Sequence, residues 1–487
     1  MAIKGITSKY NENFTRYHVL SENDCELFIE NALKILAEIG MEIEEEKSLV
    51  LLKEAGCIVE GSRVKVPREI VVKAIDSAPS HIDIYNRKGE FAMDLGGTNV
   101  YFGSGPTNPN VNDFETKERR PALVADTERS SRIMDACPNM DFVMNLTDST
   151  DCPAEINDVY TMRAMLMNTT KPLMVLARDV ASLDEQMQMA TAVVGGWEAF
   201  REKPFVMCLC GDPITPLAME NDAAAKLIYC AENHIPFNCP SGVQLGSTGP
   251  VTLPAAVALG LAENLFCLVL AQAAAPGCPY MGGVVILTTD MKTTAPCYGT
   301  PEHCLGESMA ADLYHYLDLP LLGTAGMTES KVIDEQLAIE GTFAVLSAVL
   351  DGGHATHDVG FMDSALTTDL DAIVMIDEIV GYARRIAQGV TLNEEEFGFD
   401  AIAEVGPKGE FLTNMHTLMN FGHVWYPAII DRNNYNKWVE KGAKDFRTRL
   451  HERTAALLAE HVPEPLPAEV IAQIDEILAS ANARIDA

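Results

Sequence analysis

Basic residues are scarce in this chain of 487 residues: 36 Lys and Arg stand against 70 Asp and Glu, a formal charge of −34. A surface without a basic surplus cannot displace the counterions of a phosphate backbone, which excludes nucleic acid as a partner. Long apolar runs are missing too. Ala255–Ala275 comes nearest to membrane length, and Glu263, Asn264 and Gln272 interrupt it, so no membrane span is expected. The first nine residues, Met-Ala-Ile-Lys-Gly-Ile-Thr-Ser-Lys, lack the apolar core of a secretory signal. The 12 cysteines follow no disulfide-framework spacing, and with 22 methionines they indicate a reducing cytoplasm in which thiols fill core positions. G-x-G-x-x-G, P-loop, G-x-S-x-G, H-E-x-x-H and C-x-x-C patterns are all absent. The positive signs of a dinucleotide fold, a phosphate cradle, a serine elbow and a common zinc site are therefore missing.

What is present is a phrase repeated along the middle of the chain. Its clearest copy is Glu202-Lys-Pro-Phe-Val-Met-Cys-Leu-Cys-Gly-Asp-Pro-Ile-Thr-Pro216. A proline opens a short apolar run, and Gly211-Asp-Pro213 turns the chain out of it, which is how a buried strand starts and stops. Further copies open at Pro172, Pro236, Pro279 and Pro320. Helix-length stretches such as Leu183–Val194 and Asp222–Glu232 separate them, the pattern of parallel βαβ units. Asn99–Gly103, Asp141–Thr147 and Gly353–Gly360 complete eight candidate strands. Eight parallel strands with crossover helices predict an α/β fold of the (β/α)8 TIM-barrel type, with an open doubly wound sheet as the competing arrangement.

The chain exceeds the roughly 250 residues of a bare barrel, so flanking parts are expected. Residues 1–95 read as an N-terminal α/β cap, with a helix from Ser21 through Glu38 that ends at Gly40, a second helix over Lys47–Ala55, then a strand and a helix before residue 79. The barrel occupies 96–390. Residues 391–487 form a C-terminal helical extension with helices over Asn434–Glu460 and Pro467–Ala481. These helices either cover the barrel or build an oligomer contact.

In a barrel the chemistry sits at the carboxyl ends of the strands. That filter selects Tyr101, Phe102, Arg178, Gln244, His354, His357 and Phe361 as substrate-binding candidates. Tyr101 and Phe102 offer an aromatic wall for a cation, although one of them must face the packing. Arg178 offers a carboxylate clamp or a structural ion pair. His354 and His357 are three apart, so in a regular strand they face opposite sides and serve one site only if the strand ends between them. His357, followed by Asp358, is the stronger binding histidine. Cys208 and Cys210 share a face and could ligate zinc with a histidine; core filling is the simpler reading, and no metal site is expected.

Several phrases resemble the trimethylamine methyltransferase family. They are Leu322-Gly-Thr-Ala-Gly-Met-Thr-Glu-Ser-Lys-Val-Ile-Asp-Glu-Gln336, His416-Thr-Leu-Met-Asn-Phe421, Trp425-Tyr-Pro-Ala-Ile-Ile-Asp-Arg432, Leu36-Ala-Glu-Ile-Gly40 and Val66-Pro-Arg68. The resemblance runs nearly end to end and implies a barrel enzyme that passes a methyl group from an amine to the cobalt of a separate corrinoid protein. Trimethylamine-using members carry pyrrolysine, whereas this chain holds only the twenty standard residues. The neighbourhood of Gly326–Met327 is the guess for where pyrrolysine would stand. The resemblance is thus to the quaternary-amine branch, which acts on glycine betaine, proline betaine, carnitine or γ-butyrobetaine. It implies no tightly bound cofactor, a corrinoid (cobalamin) supplied by the partner protein, and a homo-oligomer. A zinc-dependent barrel enzyme and a non-catalytic betaine-binding protein are the rival expectations.

Overall fold

A proline at the head of a strand has no N–H to donate but keeps its carbonyl. In the computed structural model, which describes residues 16–486, those carbonyls are used. Pro172, Pro236, Pro279 and Pro320 accept the N–H of Val143, Cys208, Phe237 and Gly282 at 2.8–3.1 Å. Pro204 instead accepts from Tyr85 at 2.8 Å. The strands that follow are short: β1 (Tyr101–Ser104), β2 (Val143–Met144), β3 (Leu173–Leu176) and β4 (Val206–Leu209). They continue as β5 (Phe237–Asn238), β6 (Tyr280–Met281), β7 (Leu322–Thr324) and β8 (Ala355–Val359). All eight expected segments contain one. β2 to β6 pair in parallel as one sheet, and β7, β8 and β1 as another. Single parallel bridges, Gly103–Phe142 and Gly282–Leu321, link the two, so parallel pairing passes through all eight strands as a ring.

A helix follows each strand, which makes this a mixed α/β fold. The helices are α1 (Val124–Ala136), α2 (Asn157–Asn168), α3 (Val180–Val194) and α4 (Asn221–Asn233). Then come α5 (Leu253–Ala274), α6 (Pro301–Leu317), α7 (Glu335–Asp351) and α8 (Leu370–Ala387). By length and composition α5 could cross a membrane, but 83% of its apolar window is buried. The helices Glu22–Lys34, Glu46–Ala55 and Arg68–Ser77 pack on it. The polar residues that interrupt it are satisfied inside. Glu263 accepts from Leu217 and Thr215, Asn264 donates to Cys239, and Gln272 accepts from Gly277.

The amino end of the ring is closed by a hairpin, Ile82–Tyr85 with Phe91–Leu95. Its Ile82, Ile84, Met93 and Leu95 form one buried cluster with Met144, Met174, Met207, Met281 and Leu322 from the strands. Each such side chain contributes about 1.5–3 kcal/mol of burial, so the ring interior is a filled core at this end. The expected helix over Asn434–Glu460 is two helices, Tyr435–Glu440 and Phe446–Glu460. Gly442 and Ala443 between them take positive φ, and Asp445 caps the second by accepting from Thr448. That second helix packs on α1 and α8, and Ala468–Ile485 packs on α2 and α3.

Candidate active site

At the other end of the ring a cavity of about 410 Å³ opens among the carboxyl ends of β3, β4, β7 and β8. Leu176 and Leu209 give it apolar wall; Asp212, Tyr298, Thr324, His357, Asp358 and Phe361 give it its chemistry.

The key local distortion is in β8. Thr356 pairs with Phe102 and Val359 with Ser104, so three steps along β8 match two along β1. The extra residue is absorbed at Asp358, whose φ of +78° is rare outside glycine. In a regular strand His357 and Asp358 would face opposite sides; the bulge lets both line the cavity. His357 Nδ1 lies 2.6 Å from Asp358 Oδ1. That contact lacks hydrogen-bond alignment, and neither ring nitrogen has another partner among the described residues. A buried polar atom without a partner costs about 1–3 kcal/mol, so the imidazole is poised for a ligand. The wall beside it has no slack. A Cβ on Gly105 would stand 2.3 Å from Phe361 Cε1 and 2.6 Å from Asp358 Oδ1.

Gly211, with φ +117°, turns the chain out of β4 and delivers Asp212 to the cavity mouth. The Asp212 side chain is open to the mouth, yet the surrounding protein displaces enough water to push its carboxyl up to about 6. Desolvation is the largest cause; His357 pulls the other way and Asp358 adds to the rise. Tyr298 and Phe361 meet edge to face, with centroids 6.4 Å apart and planes at 84°. Burial, reinforced by Asp358 and Asp212, raises the Tyr298 phenol and keeps it protonated. Behind them His303 binds the Ile286 carbonyl at 2.7 Å through Nδ1 and sits 3.3 Å from Thr324 Oγ1 through Nε2. Burial lowers its pKa, so it is a neutral imidazole. Glu307 accepts from the Thr324 N–H at 2.9 Å, and desolvation pushes its carboxyl up to about 8.

A family model described as trimethylamine methyltransferase (MTTB) matches residues 2–485. The chain belongs to that family. Among its relatives, the glycine betaine methyltransferase of Desulfitobacterium hafniense (strain Y51) is 30% identical over 96% of this chain and 98% of its own length. The trimethylamine methyltransferase MttB of Desulfitobacterium hafniense (strain DSM 10664 / DCB-2) is 29% identical over 92% and 90%. A solved structure, the monomethylamine methyltransferase of Methanosarcina barkeri, covers 92% of this chain and 95% of that one, at 12% identity and a TM-score of 0.48.

Of the seven site residues expected in this methyltransferase-family chain, His357 and Phe361 line the cavity. The other five do not. β1 begins at Tyr101, so Tyr101 lies at the amino end of the ring, where its hydroxyl accepts from the Asp94 N–H of the hairpin. Phe102 is fully buried on the outer face, with the Arg384 guanidinium 5.7 Å from its ring centroid. His354 also precedes its strand and is a satisfied structural imidazole. It accepts from the Leu321 N–H at 2.9 Å and meets the Gly97 carbonyl at 3.1 Å, and burial lowers it to about 3. Arg178 ends β3 but turns away to hold the Ala154 carbonyl at 2.9 Å. Gln244 belongs to a separate strand, Ser241–Leu245, that pairs with Val284–Thr289 beyond the ring.

Cys208 and Cys210 sit fully buried against Cys230 of α4, with Cys210 Sγ 3.8 Å from Cys208 and 3.7 Å from Cys230. The third ligating group of that cluster is a thiol and not a histidine. Gly326 and Met327 are buried outside the cavity lining. Two lining residues are not marked by the sequence pattern: Asp212, which its Gly-Asp-Pro context explains as a turn, and Tyr298, which lies in the excursion after Val284–Thr289.

Proposed function

We propose that the ring is a (β/α)8 barrel and that its carboxyl-end cavity removes a methyl group from a quaternary amine, glycine betaine foremost, for transfer to a corrinoid protein in the cytoplasm. The barrel reading is supported by the continuous parallel pairing, the alternating helices and the cavity's position. One observation carries the functional reading: an aromatic corner, Tyr298 with Phe361, shares a small cavity with two carboxylates, Asp212 and Asp358. A quaternary ammonium has no N–H to donate and is recognised by ring faces and by charge. The relative named for glycine betaine and the all-standard residue set favour a quaternary over a tertiary amine.

Co(I) of a docked corrinoid supplies a strong nucleophile. What remains for this chain is to bind, orient and exclude water. Tyr298, Phe361 and the two carboxylates hold the cationic head. His357, with both ring nitrogens uncommitted to hydrogen bonds, faces the same space and is the residue to receive a betaine carboxylate. Leu176, Leu209, Val285 and Leu287 line the wall with hydrocarbon. The N–C bond breaks with its electron pair retained by nitrogen, so the leaving group is a neutral tertiary amine and no proton moves. Asp212 and Asp358 therefore act through charge. Proline betaine, carnitine and γ-butyrobetaine satisfy the same chemistry and are separated by assay.

That assay mixes the protein anaerobically with Ti(III)-reduced cobalamin or a corrinoid protein and a panel of amines. Loss of Co(I) absorbance with a betaine is the expected result. No transfer from any quaternary amine to either acceptor would sink the reading.

A further inference from the structure

Between residues 391 and 449 only Pro427 and Ile429 are buried. Fourteen large apolar side chains from Phe397 to Val439 are exposed, among them Phe399 at 74%, Leu412 at 79%, Met419 at 73% and Tyr426 at 81%. The segment is nevertheless structured. Asn393, Asn414 and Asn434 cap its helices by accepting from Glu396, His416 and Lys437. Glu378 of α8 anchors it by accepting the N–H groups of Ala428, Ile429 and Ile430 at 2.9–3.0 Å, and Tyr382 of the same helix meets Trp425 edge to face. Its helices have four to seven residues and bury none. Helices that short do not persist in water without tertiary packing, and monomers rarely expose apolar patches beyond a few hundred Å².

We propose that residues 391–449 form an intersubunit arm whose apolar side is covered by a second copy of this chain. Charge selects that occupant. Two chains of −34 repel over most of their surfaces, but this segment holds nine acidic and seven basic residues, and 411–430 contains no Asp, Glu, Lys or Arg. Copies of a strongly acidic protein can approach where the charge is absent. Area agrees. Fourteen side chains at roughly 100 Å² each exceed the ~800 Å² per partner of a standard interface. Permanence agrees as well. A methyl carrier leaves after each transfer, whereas this segment needs a lasting cover. Residues 1–15 lie outside the described residues, and with Met1, Ile3, Ile6, Tyr10 and Phe14 as their large non-polar side chains they are too few to cover fourteen.

The test is the solution mass of the full chain at about 1 µM by sedimentation and light scattering, a readout independent of methyl transfer. A multiple of 53.0 kDa is expected. The double variant Leu412→Glu, Met419→Glu changes two exposed side chains and should yield the 53.0 kDa species with the far-UV spectrum of the ring retained. Val72→Glu, exposed on an N-terminal helix, should leave the mass unaltered. A wild-type monomer at that concentration overturns the proposal, and slow hydrogen exchange over 411–430 in such a monomer would assign the cover to residues 1–15. An oligomer that the double variant leaves intact overturns it too, as does a wild-type monomer whose arm becomes protected only on adding a corrinoid protein.

Discussion

Replacing Asp212 with Asn keeps the shape of the cavity mouth and removes one negative charge. The nitrogen of a quaternary amine is shielded by its methyl groups, so its approach to a carboxylate oxygen stops at about 5 Å. At that distance a charge pair is worth about 3 kcal/mol at an effective dielectric of 20 and about 0.8 kcal/mol in bulk water. Asp212 opens to the mouth, so screening holds the effect to about 1–2 kcal/mol, a rise in KM of roughly 5- to 30-fold. Positive charge on nitrogen declines as the N–C bond breaks, so the lost interaction belongs to the ground state at least as much as to the transition state. kcat should therefore hold or rise slightly while KM climbs. The pH profile adds a second signature. The carboxyl is pushed up to about 6, above the usual Asp range. It is neutral below that value and charged above it, so wild-type kcat/KM should increase as pH rises through about 6. A quaternary nitrogen cannot titrate, so Asp212→Asn should flatten this limb. An unchanged KM together with an unchanged acid limb, measured by initial rates of Co(I) loss, would refute the placement of this carboxylate against the cation.

Three further outcomes follow from the same cavity. His357→Ala should raise KM about tenfold or more for a carboxylate-bearing betaine and change tetramethylammonium turnover little; equal effects on both would remove His357 from carboxylate binding. Tyr298→Leu should weaken every quaternary amine by roughly 0.5–2 kcal/mol, the worth of one ring face, read as substrate Kd by calorimetry. Glu307 is a stability prediction: buried beside Thr324, its carboxyl is raised to about 8 in the folded chain, so the group is ionised only after unfolding between the ordinary Glu range and that value. Its contribution is intact below about pH 4 and falls as pH rises toward 8. Glu307→Gln should melt no higher than wild type at pH 5 and gain on it by pH 8.5, and parallel melting curves would contradict the assignment.

Much of the fold was legible because proline and glycine punctuate it. Pro172, Pro204, Pro236, Pro279 and Pro320 each precede a strand, and the carbonyl each retains ties it to the neighbouring strand or, for Pro204, to the hairpin. The site was less legible because strand ends decide it, and a two-residue offset reverses them. The sequence pattern puts Tyr101 and Phe102 at the end of the first strand, but they begin it, which moves them to the closed end. His354 precedes its strand, which places it at the same closed end. His357 and Asp358 share the cavity only through a bulge that alternation cannot foresee. Asp212 was hidden in plain turn chemistry, since Gly-Asp-Pro explains itself without a site. Tyr298 arrives from an excursion outside the eightfold repeat and carried no signal at all.

The hairpin fills the amino end of the ring, so the cavity's opening lies at the carboxyl end. On the proposed reaction, amine, methyl carrier and demethylated product must all use it in turn. A carrier that docks first shuts the amine out, and one that lingers traps the product. Initial velocities should therefore show compulsory order, amine before carrier, with inhibition by excess carrier that rising amine relieves.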